Sequence, residues 1–343
     1  MEYIIRLKKF ITEEQRDILC NYGNIVYQSK YLPILGMETK RQWEISLLSF
    51  VESIRSSREG EYQSGEYLTT CIFEPSISKR LLINGQMTGW GTKIFVLDSG
   101  VDERQVSIQE QKDFTHTGYH DFVGHGTTIA KIIKHFSKGS LIYSAKVGTP
   151  KPLETNMLKG IEWAIDKGAH IINISSEFSK KNKCKGNCEL CELVDIAASR
   201  GIAVVVAAGN SDQAVDSIVC PGIASGSFTV GAVSSDKKGI ASYSSVGRPG
   251  CNKPNIIAPG QGYVDGEFFS GTSFAAPVVS GVIGAIYNHV GNVAKAFEYI
   301  CNTTEDLKLP RHYQGLGCLS LEKLLEVVTN EISNIKSSEQ IGN

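Results

Sequence analysis

Ser273 lies in Gly271-Thr272-Ser273, ahead of apolar residues at helical spacing: Val278, Val279, Val282 and Ile283. A hydroxyl at the mouth of a helix meets unpaired N–H groups and the positive end of the helix dipole. That setting suits a nucleophile whose attack generates negative charge. It equally suits a plain helix cap. Two further residues bear on the choice. Asp98 ends the apolar run of Val96-Leu97-Asp98-Ser99-Gly100, and His125 lies in Gly124-His125-Gly126-Thr127, before another helical stretch. Acyl transfer needs a hydroxyl, an imidazole to take its proton and a carboxylate to hold the imidazole tautomer. Singly, each signal is weak, since Asp after a strand is commonly a turn residue and Gly-His-Gly a loop. The order Asp, His, Ser, each with its own flanking pattern, is far more specific.

These residues need a frame that brings distant positions together. Apolar runs at 93–97, 141–147, 170–174, 202–208 and 228–233 alternate with helical patterns at 124–133, 155–167 and 189–200, and a long helix begins at Ser273. Such alternation predicts an α/β architecture: a doubly wound, mostly parallel sheet with helices on both faces. Functional groups in these sheets gather at the carboxyl ends of strands. Asp98, Ser175 and Asn210 each fall at such an end.

Residues 1–54 read as a separate unit of order β-α-β-β-α-β, the split βαβ pattern. Capping boxes at Thr12–Gln15 and Thr39–Gln42 open its two helices and suggest internal pseudo-symmetry. Residues 55–64 have no apolar periodicity and read as a linker. The expected division is a small domain over 1–63, a catalytic domain over 64–330 and a polar tail over 331–343.

With 343 residues the chain can bury a substantial core. A net charge of −1 advertises no broad attraction to nucleic acid or anionic membrane. No apolar stretch reads as a membrane span. The start, Met1-Glu2-Tyr3-Ile4-Ile5-Arg6, lacks the pattern of a secretory signal, so nine cysteines read as reduced thiols in a cytoplasmic protein.

The blocks Val-Leu-Asp-Ser-Gly-Val at 96–101, Gly-His-Gly-Thr at 124–127, Asn-Ile-Ser at 173–175, Ala-Ala-Gly-Asn at 207–210 and Gly-Thr-Ser-Phe-Ala-Ala-Pro at 271–277 resemble those of the subtilisin-like serine peptidases, the subtilases. The resemblance implies that Ser273 is the nucleophile, His125 the general base and then acid, and Asp98 the carboxylate that orients it. Asn210 would be the oxyanion donor, together with the backbone N–H of Ser273; its plain alternative is a turn residue after Gly209. Ser175, Ser176, Glu177, Ala208 and Gly209 would contact an extended peptide substrate.

Departures from the family pattern carry their own expectations. The substrate strand usually reads Ser-Leu-Gly-Gly but here reads Ser175-Ser176-Glu177-Phe178. Glu177 in the pocket wall would narrow specificity, favouring a basic or small residue before the cut; pointing to solvent, it would do nothing. The segment 134–139 lacks the oxygen ligands of a calcium loop, and no cofactor is expected. Cys184, Cys188 and Cys191 read as thiols on a solvent-side or redox-sensitive loop. Zinc with a fourth ligand from elsewhere and an iron–sulfur cluster are the alternatives. Cys220 would be an apolar filler near the specificity pocket.

The 1–54 unit resembles a subtilase propeptide. That implies an intramolecular inhibitor whose tail reaches the catalytic serine around Tyr62-Gln63-Ser64, with self-cleavage beside Gln63. Two other readings stay open: a homologue that binds peptides without cutting, and an acyl transferase of peptide maturation.

Overall fold

The computed structural model describes residues 1–62, 87–178 and 184–330. The tail at 331–343 and the expected cut beside Gln63 lie outside them. The first unit contains β1 (Glu2–Leu7), α1 (Glu13–Cys20), β2 (Gly23–Gln28), β3 (Ile34–Thr39), α2 (Gln42–Ser46) and β4 (Val51–Ser56). Its strands form an antiparallel sheet in the order β2-β3-β1-β4. Ile5, Leu7, Leu19, Leu35, Met37 and Ile45 make its own small core. Thr12 and Gln15 cap α1 reciprocally. The second box does not form, although the sheet keeps the expected pseudo-symmetry, since exchanging β1-α1-β2 with β3-α2-β4 reproduces the same strand order reversed. Thr39 ends β3, too early to cap α2, so its hydroxyl donates to the Tyr22 carbonyl at 2.7 Å and accepts from the Arg41 N–H at 2.8 Å.

Residues 55–62 are structured, which corrects their reading as a linker. Arg55 remains in β4, and Gly60–Tyr62 forms β5. Their contacts are ionic and main-chain, so they leave no apolar period in the sequence.

The larger unit runs β6 (Lys93–Asp98), β7 (Ile108–Asp113), α3 (His125–Phe136), β8 (Leu141–Lys146), α4 (Glu154–Asp166), β9 (Ile171–Ile174), β10 (Ser176–Phe178), α5 (Glu189–Ser199), β11 (Ala203–Ala207), β12 (Ser227–Val233) and β13 (Ile256–Pro259). A hairpin of β14 (Gln261–Val264) and β15 (Glu267–Ser270) then leads into α6 (Thr272–Val290). Seven strands form a parallel sheet in the order β13-β12-β11-β9-β6-β8-β7. Both faces are covered. In β6, Ile94 and Val96 join Ile129, Ile133, Val278 and Val282 in one core, while Phe95 and Leu97 join Leu158, Ile161 and Val194 in the other. Each such large side chain, once buried, contributes about 1.5–3 kcal/mol. This two-faced burial is why the strands read as continuous apolar runs.

The winding direction changes between β6 and β9, the position where doubly wound sheets form a crevice. Asp98 and Ser175 stand at the ends of those two strands. Helix α6 has 19 residues and is long and apolar enough to cross a membrane by length and composition, contrary to the expectation that no stretch reads so. Its apolarity matches its place, since 78% of that window is buried inside the protein.

Candidate active site

Asp98 is fully buried, and its Oδ1 lies 2.8 Å from His125 Nδ1 while accepting the Ser99 N–H at 2.8 Å. A carboxylate on this side holds the ring proton on Nδ1, so the lone pair sits on Nε2. His125 opens α3, and the approach of that helix to the end of β6 depends on Gly126. A Cβ there would lie 2.1 Å from the Gly100 carbonyl oxygen. Asp121 organises the same turn. It accepts from Ser99 Oγ at 2.9 Å, the Gly124 N–H at 2.8 Å, and the Thr127 N–H and hydroxyl at 3.0 and 2.6 Å.

Ser273 is the second residue of α6. The cap is Gly271, which makes no side-chain capping bond, so the reading of Ser273 as a cap fails. Its hydroxyl donates to the Ser175 carbonyl at 2.8 Å, and Ser175 Oγ returns a bond to the Ser273 carbonyl at 2.9 Å. Asn173 and Ser280 extend this buried chain: Asn173 Nδ2 donates to Ser175 Oγ at 2.9 Å and Ser280 Oγ to Asn173 Oδ1 at 2.8 Å. The Phe274 ring meets the His125 ring edge-on at 5.7 Å, which brings the start of α6 beside the imidazole.

Asn210 is held by its acceptor end. Thr272 donates to Asn210 Oδ1 from both its N–H and its hydroxyl, each at 2.9 Å. The carboxamide nitrogen is buried and has no hydrogen-bond partner among the described residues. A buried donor left bare costs about 1–3 kcal/mol. Such a cost fits a group held ready for an incoming oxygen.

Beside these groups runs a strand pairing that the fold makes with itself. β5 lies antiparallel on β10, with Ser176 opposite Tyr62, Glu177 opposite Glu61 and Phe178 opposite Gly60. The Gly60 N–H also donates to the Pro152 carbonyl at 2.7 Å. Tyr62 lays its ring against His125, with centroids 5.3 Å apart, and donates its hydroxyl to the Gly148 carbonyl at 3.0 Å. Burial pushes the Tyr62 phenol well above its ordinary pKa, and Asp98 and Asp121 add to the shift, so it stays neutral.

Glu177 Oε2 is buried rather than solvated. It lies against Gly209, where a Cβ would come within 2.5 Å of it; Gly209 also holds φ +108. The Gly209 N–H donates to Thr272 Oγ1 at 3.0 Å, and Ala208 is fully buried beside it.

The first unit docks on α4 and α5. Glu154, fully buried, takes a fork from Arg55 at 2.9 and 3.0 Å and another from Arg58, whose Nε lies at 2.9 Å. Burial alone would raise the Glu154 pKa, but its hydrogen bonds to Arg58 and Arg55 hold it below the ordinary carboxylate value. Arg6 pairs with Glu192 at 2.7 Å, and Tyr27 donates to Glu162 at 3.0 Å.

Cys191 and Cys220 are buried, and Cys184 and Cys188 are half-buried against them. The expectation of a solvent-side loop is therefore corrected, and Cys220 is buried in the apolar core beside the other three thiols. The first turn of α5 aims Cys191 inward at Cys220. Asp121, Thr272 and Arg58 were not singled out from sequence. Asp121 has a faint signal, an Asp three residues before a Gly-His helix start. The role of Arg58 depends wholly on tertiary contact.

A sequence profile of the subtilase family matches residues 89–317. The chain belongs to the subtilase family. It is 29% identical over 253 residues to subtilisin NAT of Bacillus subtilis subsp. natto, covering 66% of this chain and 64% of that protein. It is 30% identical over 273 residues to the serine protease AprX of Bacillus subtilis (strain 168), covering 62% and 61%. Among solved structures, fervidolysin from Fervidobacterium pennivorans, a keratinolytic enzyme related to subtilisin, superposes with a TM-score of 0.72 at 19% identity, over 95% of this chain and 60% of that one. The matched region thus spans less than two thirds of each of these proteins.

Proposed function

We propose that the chain is a serine endopeptidase whose own N-terminal unit occupies its substrate groove. The observation that carries this is β5 paired on β10 with Tyr62 against His125. An extended peptide laid on an edge strand is how a peptidase presents a substrate. Here the occupant is the segment that leads directly to Gln63.

In the proposed reaction, Ser273 Oγ leaves the Ser175 carbonyl by rotation about its Cα–Cβ bond and turns to His125 Nε2. The imidazole takes the hydroxyl proton as Oγ attacks the substrate carbonyl carbon. Asp98 stabilises the imidazolium and keeps its orientation. The new oxyanion accepts from Asn210 Nδ2 and the Ser273 N–H. His125 then gives its proton to the leaving amine, the C–N bond breaks, and water releases the acyl group by the reverse sequence. The family membership and the Asp98–His125 contact support these roles.

The buried Glu177 carboxylate beside Gly209 supports narrow specificity. It would favour a basic or small residue before the cut, because a carboxylate in the wall adds negative charge and takes up space there. The N-terminal unit acts as inhibitor until the bond beside Gln63 is cut. Intact masses of the wild-type chain and of Ser273→Ala test this. The expected result is loss of residues 1–63 in the wild type alone. Equal masses would make the unit a permanent domain. Failure of a fluorophosphonate to label the wild-type chain at Ser273 would instead remove the peptidase reading.

A further inference from the structure

Four thiols converge behind the substrate strand. Cys184 and Cys188 follow β10, Cys191 sits in the first turn of α5, and Cys220 comes from the segment after β11. The sulfur–sulfur distances are 3.8 Å for Cys184–Cys191, 3.6 Å for Cys188–Cys191, 3.7 Å for Cys188–Cys220 and 3.8 Å for Cys191–Cys220. All four sulfurs lie within 4.8 Å of one another. A disulfide needs about 2.05 Å, so none of these is a bonded pair. Four sulfurs each about 2.3 Å from one zinc ion at tetrahedral angles stand about 3.8 Å apart. Four of the cluster's six edges have that length, and the other two are within 4.8 Å. An iron–sulfur cube holds its thiolates at outward corners, farther apart than this arrangement allows.

We propose that Cys184, Cys188, Cys191 and Cys220 bind one zinc ion as a closed, structural tetrathiolate. Four thiolates around a divalent cation leave two negative charges, and the surroundings answer them. Arg58 Nη2 donates to Cys188 Sγ at 3.3 Å, and the Gly186 N–H donates to Cys184 Sγ at 3.4 Å. Such outer donors orient thiolate ligands and offset their charge.

The position gives the ion a task. The Phe178 N–H at the end of β10 donates to the Cys220 carbonyl at 2.9 Å. Val219 stands next to Cys220, and its side chain faces Gly209. Zinc would therefore tie the start of α5 to the segment that backs both the substrate strand and the pocket wall. Arg58 belongs to the N-terminal unit and also grips Glu154, so the same centre forms part of the seat on which that unit docks.

The test uses the full chain carrying Ser273→Ala, purified in reductant without chelator, with metals measured by mass spectrometry. The expected result is one zinc per chain, retained in Cys20→Ser and Cys251→Ser and at least tenfold lower in Cys184→Ser/Cys191→Ser. Because the double variant could fail to fold, the same chain is also stripped with a chelator and titrated with cobalt(II). Thiolate-to-cobalt charge-transfer and tetrahedral ligand-field bands should saturate at one equivalent. Absence of both stoichiometric zinc and the cobalt bands overturns the site, and iron in place of zinc overturns its identity. Metal content is read without any peptidase assay, so the outcome is separate from that of the proposed activity.

Discussion

The two sides of the groove are built on different plans. On one side Asp98, His125, Ser273 and Asn210 stand at strand ends and helix starts: Asp98 contacts His125, Ser273 donates to the Ser175 carbonyl, and Thr272 donates to Asn210. Every one of them lies in a block that resembles the family. On the other side stand Glu177, the four cysteines and the paired segment Gly60–Tyr62, which lie outside those blocks. The reacting side positions atoms to within bond distance and leaves little latitude in residue type. The recognising side only has to present an edge, a pocket and a charge, and many sequences do that. On the proposed function, chemistry is carried by the shared blocks and selectivity by the residues outside them.

The largest effect should come from the reacting side. Ser273→Ala should lower peptide hydrolysis by about 10⁶-fold and abolish fluorophosphonate labelling while leaving the N-terminal unit docked; the size is that known for the subtilisin nucleophile. Single-turnover assays with a peptide substrate check it, and retained turnover would remove the division between the two sides.

Next comes the seat of the N-terminal unit. Glu154→Gln leaves Arg58 without its carboxylate in a buried seam, while Arg55 keeps Glu189, and loss of one partner there costs about 3–5 kcal/mol. The full chain carrying Ser273→Ala should lose that much in chemical denaturation at neutral pH. The pH dependence has a definite sign. Glu154 is depressed in the folded chain, so its contribution is complete above the ordinary value of 4.5 and is lost as pH falls through the lower folded value. Thermal melts from pH 7 downward should show that acid limb, and Glu154→Gln should flatten it.

Asn210→Ala should reduce kcat by about 10²–10³-fold with little change in KM, a magnitude set by subtilisin's own oxyanion donor. An equal rise in KM would mean that Asn210 binds the ground state and belongs to the recognising side. The smallest change is expected at Glu177. Glu177→Gln should cut the preference for lysine or arginine before the scissile bond by roughly 10–100-fold, the worth of a charge-assisted hydrogen bond. A library profile unchanged by the substitution would remove the acidic pocket wall.

Legibility in the sequence followed the same division. The apolar runs of β6, β8, β9, β11 and β12 announced buried parallel strands because both faces of each must be covered. β7, with Gln109, Glu110, Gln111 and Lys112 on the sheet edge, carries no such run and escaped notice. The Thr39 box matched a capping pattern and still failed, because a two-residue displacement decides whether a hydroxyl meets a helix or a turn. Residues 55–62 looked like a linker because arginine forks and main-chain pairing leave no periodic trace.

By itself the chain of residues determined the alternation of strands and helices and the family blocks in which Asp98, His125 and Ser273 stand, since these rest on local spacing and on patterns that admit few substitutes. Only the tertiary structure decided that Cys220 completes the set begun by Cys184, Cys188 and Cys191, that Glu177 turns inward on Gly209, and that Tyr62 lies against His125. Those contacts join residues tens of positions apart, and their energy exists only once the sheet and helices have packed.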